Sequence, residues 1–261
     1  SSVYVGGNFF NIGGQARRYI AALSASTGAA DAAWNPGANL WVYTLVPSGG
    51  VIYAGGNFSS LGVVKRNRLA ALDLTTGAAT AWDPNPNGTA LALAVAGNTL
   101  YVGGDFTNIA TQPRNRLAAL DLPSGTLAAW NPNANAAATA LAVQDAMVYV
   151  AGNFSSVGSQ TRAGLAQLDA GTGLATTWNP APNGAVVALL ADPGQVYAGG
   201  SFTSIGGQPR NRIAQLDAAT GSATSWNPNA NNSVLALARM GTTVFAGGSF
   251  ISLLPIAFLN G

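Results

Sequence analysis

The chain contains neither cysteine nor histidine, and its nine acidic residues are all aspartate. Without cysteine there is no disulfide and no thiol chemistry, and without histidine the commonest general base and the usual catalytic triads are missing. Most transition-metal sites are also excluded, because they depend on the same two residue types. We therefore predict a protein with no catalytic residue, no metal and no cofactor.

Charge is scarce as well. Only 8% of the residues are charged and the formal net charge is +2, so there is no strong positive field of the kind that binds nucleic acid. No run of 18 apolar residues is present, so no transmembrane segment is predicted. The sequence is instead rich in glycine (33) and proline (13), which predicts short strands joined by turns and almost no helix.

A fixed period of 48 residues dominates the chain. It separates five tryptophans, each followed by Asn-Pro or Asp-Pro: Trp34, Trp82, Trp130, Trp178 and Trp226. Each unit contains four strand-like runs, which in the third full copy are 139–143, 148–154, 164–169 and 174–178. A four-stranded sheet that buries both faces only by stacking on copies of itself is a propeller blade.

The predicted fold is therefore an all-β β-propeller of four-stranded blades with a 48-residue repeat. Six blades are the simplest count, and five or seven remain open. We expect a single domain over 1–261 that is part of a longer protein, with the apolar segment 251–261 completing the last blade. The approximate units are 1–40, 41–88, 89–136, 137–184, 185–232 and 233–261.

The order VYVGGxF, then NRLAALDxxTG, then xxxWNPN resembles the kelch-like blade and, in detail, the bacterial delta-sixty repeat, over residues 3–250. The resemblance implies a non-catalytic propeller module of a bacterial exported or cell-surface protein. The expected location is extracellular or at the cell surface, with the periplasm as an alternative. The resemblance implies no particular reaction.

Arginines supply the first candidate site. Ten of the eleven basic residues lie in or beside the long loop that joins the second and third strands of a unit. A ring of guanidinium groups could bind carboxylates, sulfates or phosphates. Because these arginines recur in blade after blade, we favour a structural role, in which each one pairs with a nearby aspartate or with loop carbonyls. The candidate ligand-binding residues are Arg17, Arg66, Arg114, Arg162, Arg210, Arg68, Arg116 and Arg212.

The repeated tryptophans form a second set. With the neighbouring asparagines they could stack on a sugar ring and hydrogen-bond to it, but a large aromatic in every blade is better explained as core packing. The stretch Asp83, Asn85, Asn87 and Gly88 resembles the start of a calcium loop, yet it lacks the distal glutamate, so no metal site is predicted.

Two further features stand outside the repeat. Arg239 takes the place that Val95 and Val143 occupy on other inner strands, so we expect it to line a central channel or to reach solvent. Four aspartates have no partner that the sequence reveals: Asp31, Asp105, Asp145 and Asp192.

The sequence thus favours a protein-interaction or structural module, with a protein or a cell-surface polymer as partner. The alternative is lectin-like binding of acidic glycans through the long loops. An Asp-dependent glycoside hydrolase is a third and weaker reading, since such enzymes need only two suitably spaced carboxyls.

Overall fold

The computed structural model describes residues 1–122 and 124–253, and this part of the chain is entirely β-structure and turns. It contains 26 strands and no helix, and every strand pair is antiparallel, as in β1 with β4, Ser2–Gly6 with Ile20–Ser24. The predicted all-β class is confirmed. Most of segment 251–261, which is expected to complete the last blade, lies outside the described residues.

The chain divides into two compact units, the first of which is Ser1–Ala129. Its main strands form a pair, β1–β4, and two three-stranded sheets, β5–β6–β9 and β10–β11–β14. In chain order the strands of this unit are β1 Ser2–Gly6, β2 Asn11–Ile12, β3 Gln15–Ala16, β4 Ile20–Ser24, β5 Val42–Ser48, β6 Val51–Gly56, β7 Ser60–Leu61, β8 Val64–Lys65, β9 Leu69–Asp73, β10 Ala90–Ala96, β11 Thr99–Gly104, β12 Asn108–Ile109, β13 Gln112–Pro113 and β14 Leu117–Asp121.

The second unit begins at Trp130. It contains the sheets β15–β16–β19 and β20–β21–β24 and the pair β25–β26. Its strands are β15 Ala138–Gln144, β16 Met147–Gly152, β17 Ser156–Val157, β18 Gln160–Thr161, β19 Leu165–Asp169, β20 Val186–Asp192, β21 Gln195–Gly200, β22 Ser204–Ile205, β23 Gln208–Pro209, β24 Ile213–Asp217, β25 Val234–Met240 and β26 Thr243–Gly248.

The fourth predicted strand of each repeat is shorter than expected. The run 174–178 pairs with β19 only through the bridge between Leu168 and Ala175. The carbonyl of Thr176 accepts a hydrogen bond from the side chain of Arg162, so it is not free to extend a strand ladder. A side chain thus replaces part of the fourth strand.

The long loop between the second and third strands contains a small hairpin that the sequence did not predict. In the repeat of β16, the two-residue strands β17 and β18 pair Ser156 with Thr161 and Val157 with Gln160. The turn between them places Gly158 and Ser159 at φ of 57° and 65°, as a two-residue hairpin turn requires. This loop is therefore ordered by its own backbone pairing.

The core of each unit lies between successive sheets, because the middle strand of a repeat is buried on both faces. In the second unit Leu165, Trp178, Val196 and Phe202 share one buried cluster, and the first unit has an equivalent cluster around Trp82. The glycine that ends β16 is required by a close approach: a Cβ on Gly152 would lie 2.1 Å from the carbonyl oxygen of Ala137. The repeated small residues before Phe154 therefore allow two strands to meet at a β-bulge.

Candidate functional site

The first arginine of the long loop makes the same two hydrogen bonds in the five repeats that contain it. Arg114 donates from Nη1 to the carbonyl of Pro113 at 2.8 Å and from Nη2 to that of Ala128 at 2.9 Å. Arg17 makes the same two contacts, with Ala16 and Asp31, at 2.8 and 2.7 Å. The same arrangement recurs at Arg66, Arg162 and Arg210. These guanidinium groups therefore tie the long loop to the fourth run of their own repeat.

The second arginine position is held less tightly. Arg68, Arg116 and Arg212 have left-handed backbones, with φ of 62°, 68° and 63°, and Gly164 fills the same place at 68°. The backbone explains the geometry: the N–H of Arg116 donates to the carbonyl of Phe106, while its carbonyl accepts from Gly104. Glycine satisfies this requirement without strain, so the arginine side chains are not needed for the turn.

The side chains at this second position differ in their contacts. The guanidinium of Arg116 donates to the carbonyls of Asp105 and Phe106, whereas that of Arg212 reaches Ala230 only at 3.4 Å. The Arg68 guanidinium makes no hydrogen bond and no ion pair with any of the described residues. The eight candidate arginines thus separate into two sets. The tied arginines are Arg17, Arg66, Arg114, Arg162 and Arg210, and the freer arginines are Arg68, Arg116 and Arg212.

The repeated tryptophans pack at the junctions between successive repeats of a unit. The Trp178 indole is 1% exposed and donates from Nε1 to the carbonyl of Asp217 at 3.0 Å. Its ring meets that of Tyr149 edge to face, with centroids 5.4 Å apart. Trp34 and Trp130 make the same bond to Asp73 and Asp169, at 3.3 and 3.0 Å. Trp226 is partly exposed and packs on Tyr197.

Asparagines at a fixed position form a structural set that the sequence analysis missed. Asn183 accepts at Oδ1 from the backbone N–H groups of Thr203 and Ser204 and donates from Nδ2 to the Thr203 hydroxyl. Their signal is a 48-residue spacing that matches the tryptophans, at Asn39, Asn87, Asn135, Asn183 and Asn231. These amides are used inside the fold, which leaves them little capacity for a sugar.

The repeated aspartates shape the turns after the third strands. Asp169 accepts at Oδ1 from the N–H groups of Gly171 and Thr172 and from the Thr172 hydroxyl. Hydrogen bonds from Thr172, chiefly from its backbone N–H, lower the pKa of Asp169. The pKa values of Asp73 and Asp217 are lowered in the same way by Thr76 and Thr220.

The acids that seemed isolated in sequence have partners in the structure. Asp31 accepts from the N–H groups of Ala33 and Trp34, and Asp105 accepts from that of Thr89. Asp145 accepts from the side-chain amide of Gln144. Arg239 forms an ion pair with Asp192 on the neighbouring first strand, a partnership 47 residues apart that no local pattern indicates.

The calcium-like stretch is engaged within the protein. Asp83 lies 3.8 Å from Arg66, Asn85 accepts from Asn67, and the Asn87 oxygen accepts from the backbone of Thr107 and Asn108. Over residues 1–122 and 124–253, no three acidic side chains cluster as a metal site would need.

One exposed apolar patch departs from the repeat. It consists of Leu40, Trp41 and Tyr43, which are 41%, 41% and 45% exposed. The Trp41 and Tyr43 rings meet nearly perpendicularly, at 80°, with centroids 6.0 Å apart. Partial burial, and to a smaller extent the carboxylate of Asp105, raise the pKa of Tyr43. We call this group the Trp41 patch.

Stacked antiparallel sheets with a repeated sequence of this length define a β-propeller repeat protein. A family model described as a β-propeller domain of unknown function (DUF5122) matches residues 98–127, 145–173 and 194–223. These matches, with the structural likenesses that follow, place the chain among the β-propeller repeat proteins. The number of blades stays a prediction.

Solved propellers are similar to this chain in fold. The WD40 β-propeller domain of Doa1 matches with a TM-score of 0.60 at 13% identity, over 88% of this chain and 69% of that one. U3-55K gives 0.61 at 12%, over 87% and 67%. A chain of a mitotic checkpoint complex gives 0.58 at 16%, over 84% and 61%.

Identities this low concern the fold alone. No curated protein sequence matches the chain. Among the described residues, no helix is long and apolar enough to cross a membrane.

Proposed function

We propose that this propeller is a non-catalytic protein-interaction module and that the Trp41 patch is its main contact surface. The observation that carries the proposal is a tryptophan that is exposed although the repeat does not need it. The positions equivalent to Trp41 are Thr89, Ala137, Ala185 and Ser233.

The backbone at these positions has one role throughout. The carbonyl of Trp41 accepts from the N–H of Asn57, just as that of Ala137 accepts from Asn153. Because alanine, threonine and serine serve this backbone equally well, the indole of Trp41 contributes nothing that the fold requires. Tryptophan and tyrosine are the side chains most often found as energetic anchors of protein interfaces.

Other features support a binding module over an enzyme. The turn aspartates Asp73, Asp169 and Asp217 accept hydrogen bonds within their own turns, which removes them as a catalytic pair. One of the structurally similar propellers is a chain of a mitotic checkpoint complex. On the resemblance to kelch-like and delta-sixty repeats, we further propose that the module belongs to a bacterial exported or cell-surface protein.

The test uses the whole chain as bait against the exported and surface proteins of a host that carries it, followed by measurement of the dissociation constant for each captured protein. The double variant Trp41→Ala, Tyr43→Ala should raise the dissociation constant for a genuine partner by about thirtyfold or more, the effect of removing an interface hot spot. Leu235→Ala is the matched control, because Leu235 is also an exposed apolar residue, on β25. Equal binding by the double variant would place the interface elsewhere.

The guanidinium of Arg68 supports a second candidate function, the binding of acidic glycans. Its guanidinium lacks a protein partner among the described residues, and its left-handed backbone would suit glycine better. A glycan array with sulfated and uronic-acid sugars should then show competable binding that Arg68→Gly abolishes. Arg116→Gly is the matched control, since the Arg116 guanidinium is held by two carbonyls. No binding at low or physiological salt would reject this candidate.

A further inference from the structure

One cleft in the first unit is lined by residues that depart from the repeat. It lies between the long loop of the first repeat and the segment that follows Trp34, and its volume is 480 Å³, within the range of small-molecule sites. Phe10 and Arg18 supply its largest side chains. The equivalent residues in the second repeat are Ser59 and Asn67. The first repeat therefore lines this cleft with a phenyl ring and a cation, where the second repeat has a hydroxyl and an amide.

The guanidinium of Arg18 is open to a ligand. Arg18 is exposed, and its side chain makes no hydrogen bond and no ion pair with any of the described residues. Its backbone is nevertheless held, because the carbonyl of Arg18 accepts a hydrogen bond from the N–H of Ala38 at 3.1 Å. Among the described residues, no acidic side chain lines the cleft. The charge of Arg18 thus lacks a partner of opposite sign, which an anionic ligand would supply.

Gly37 removes the side chain that meets this position in the second repeat. There Asn85 stands in the place of Gly37, and its Oδ1 accepts a hydrogen bond from the side-chain amide of Asn67 at 2.7 Å. In the first repeat the corresponding residues are Arg18 and Gly37, so no such bond is made. A Cβ added to Gly37 would have no neighbour within 4 Å. The space beside Arg18 is therefore open at this residue.

Two amides and one aromatic ring complete the cleft. The side chains of Asn11 and Asn35 are exposed and make no hydrogen bond with any of the described residues. Phe10 packs edge to face on Tyr19, with ring centroids 5.2 Å apart, yet it is 57% exposed. The contact with Tyr19 fixes the phenyl ring and leaves much of it uncovered. The cleft thus presents a cation, amide donors and acceptors, and an apolar surface.

We propose that this cleft binds the C-terminal residue of a partner peptide. The Arg18 guanidinium pairs with the terminal carboxylate, whose planar shape matches its fork of donors. Asn11 and Asn35 pair with the last peptide group, because an amide side chain carries the same donor and acceptor as a peptide bond. Phe10 covers an apolar last side chain. A phosphate group fits less well, since it carries more charge than one guanidinium neutralises.

This inference rests on the proposed role as a protein-interaction module, but it does not rest on the Trp41 patch. The cleft shares no residue with that patch. The double variant Trp41→Ala, Tyr43→Ala should therefore leave the binding of a free C-terminal peptide unchanged. Failure at the cleft and failure at the Trp41 patch are thus distinguishable, because each site has its own ligand and its own variant.

The probe is N-acetyl-glycyl-leucine, titrated into the ¹⁵N-labelled full chain while the backbone N–H resonance of Gly37 is followed by NMR. Gly37→Asn identifies that resonance by its loss. We expect it to shift saturably with a dissociation constant of about 1 mM or tighter, as a fragment of this size allows. The same peptide with a C-terminal amide should bind about tenfold more weakly or worse, because it lacks the carboxylate. Glucuronate should also bind about tenfold more weakly or worse, because it has no peptide group and no apolar side chain.

The decisive variant is Arg18→Asn, which copies the residue of the second repeat and should raise the dissociation constant about tenfold or more. Phe10→Ser also copies the second repeat and should raise it about threefold, because apolar contact is lost. Arg212→Asn is the matched control: it removes the same charge from a loop of the second unit and should leave the titration unchanged.

The outcomes that contradict the proposal are specific. A Gly37 resonance that does not move, or equal binding by a folded Arg18→Asn protein, would overturn it. Equal binding of the peptide amide would overturn the assignment to a terminal carboxylate. Equal binding of glucuronate would overturn the assignment to peptides.

Discussion

Two equivalent junctions, one in each unit, differ in how completely they are satisfied. In the second unit Trp178 donates to the carbonyl of Asp217, and the side-chain amide of Gln167 donates to the Tyr149 hydroxyl. In the first unit the Trp82 Nε1–H has no acceptor among the described residues, and Ala71 offers no side-chain hydrogen bond. The repeat therefore keeps the same backbone fold with or without these side-chain hydrogen bonds. The positions that repeat specify the fold, and the proposed contact surface rests on one exposed departure from the repeat, Trp41.

The largest expected effect on stability comes from removing the buried tryptophan of a junction in which its hydrogen bond is made. Trp178→Ala should lower the free energy of unfolding by about 3–5 kcal/mol, because a buried indole and its hydrogen bond are both lost. Urea denaturation followed by circular dichroism measures the change. Trp41→Ala should lower it by much less, by about 1 kcal/mol, because Trp41 is 41% exposed. Equal losses of unfolding free energy for the two variants would contradict the assignment of Trp178 to the core and of Trp41 to an exposed contact surface.

The sequence predicted the repeated strands and core residues well, because residues that pack in every repeat recur at a fixed spacing. The five tryptophans and the strands that they follow were identified from the 48-residue spacing. The length of the fourth strand was not predictable, because Arg162 bonds to a carbonyl 14 residues further along. A main-chain acceptor is present at every residue and has no sequence signature.

The candidate sites were predicted less well for a related reason. Sequence comparison shows which side chains recur, and it therefore drew attention to the arginine and tryptophan sets that the fold itself uses. Trp41 is a single departure, one large residue among small ones. Its importance depends on its exposure, which only coordinates reveal.

A smaller effect is expected from the tied arginines. Arg162 is 8% exposed, and its guanidinium donates to the carbonyls of Thr161 and Thr176. Arg162→Ala should therefore lower the free energy of unfolding by about 2–3 kcal/mol, the value of hydrogen bonds made by a charged group. Arg18→Ala is the control, because Arg18 is exposed in the first long loop. If both variants unfold at the same urea concentration, the tied set does not stabilise the fold.

The smallest expected effect is a loss of stability at acidic pH. Hydrogen bonds from Thr76, Thr172 and Thr220 lower the pKa values of Asp73, Asp169 and Asp217, so each carboxylate titrates lower in the folded chain than in the unfolded chain. Their stabilisation is then fully present above the unfolded pKa, at about 4, and is lost as the pH falls through the folded values. Thermal melting between about pH 6 and pH 2 should show this loss, and the triple variant Asp73→Asn, Asp169→Asn, Asp217→Asn should show a shallower one.

Thr172→Val separates the two kinds of donor at one of these turns. It removes the hydroxyl that bonds to Asp169 and keeps the backbone N–H, which has the larger influence on the pKa of Asp169. The variant should therefore retain most of the acid dependence that Asp169 contributes. If Thr172→Val flattens the pH profile as far as Asp169→Asn does, the side-chain bond dominates. The turn would then depend on the threonine hydroxyl, and the Gly171 and Thr172 backbone would matter less than the geometry indicates.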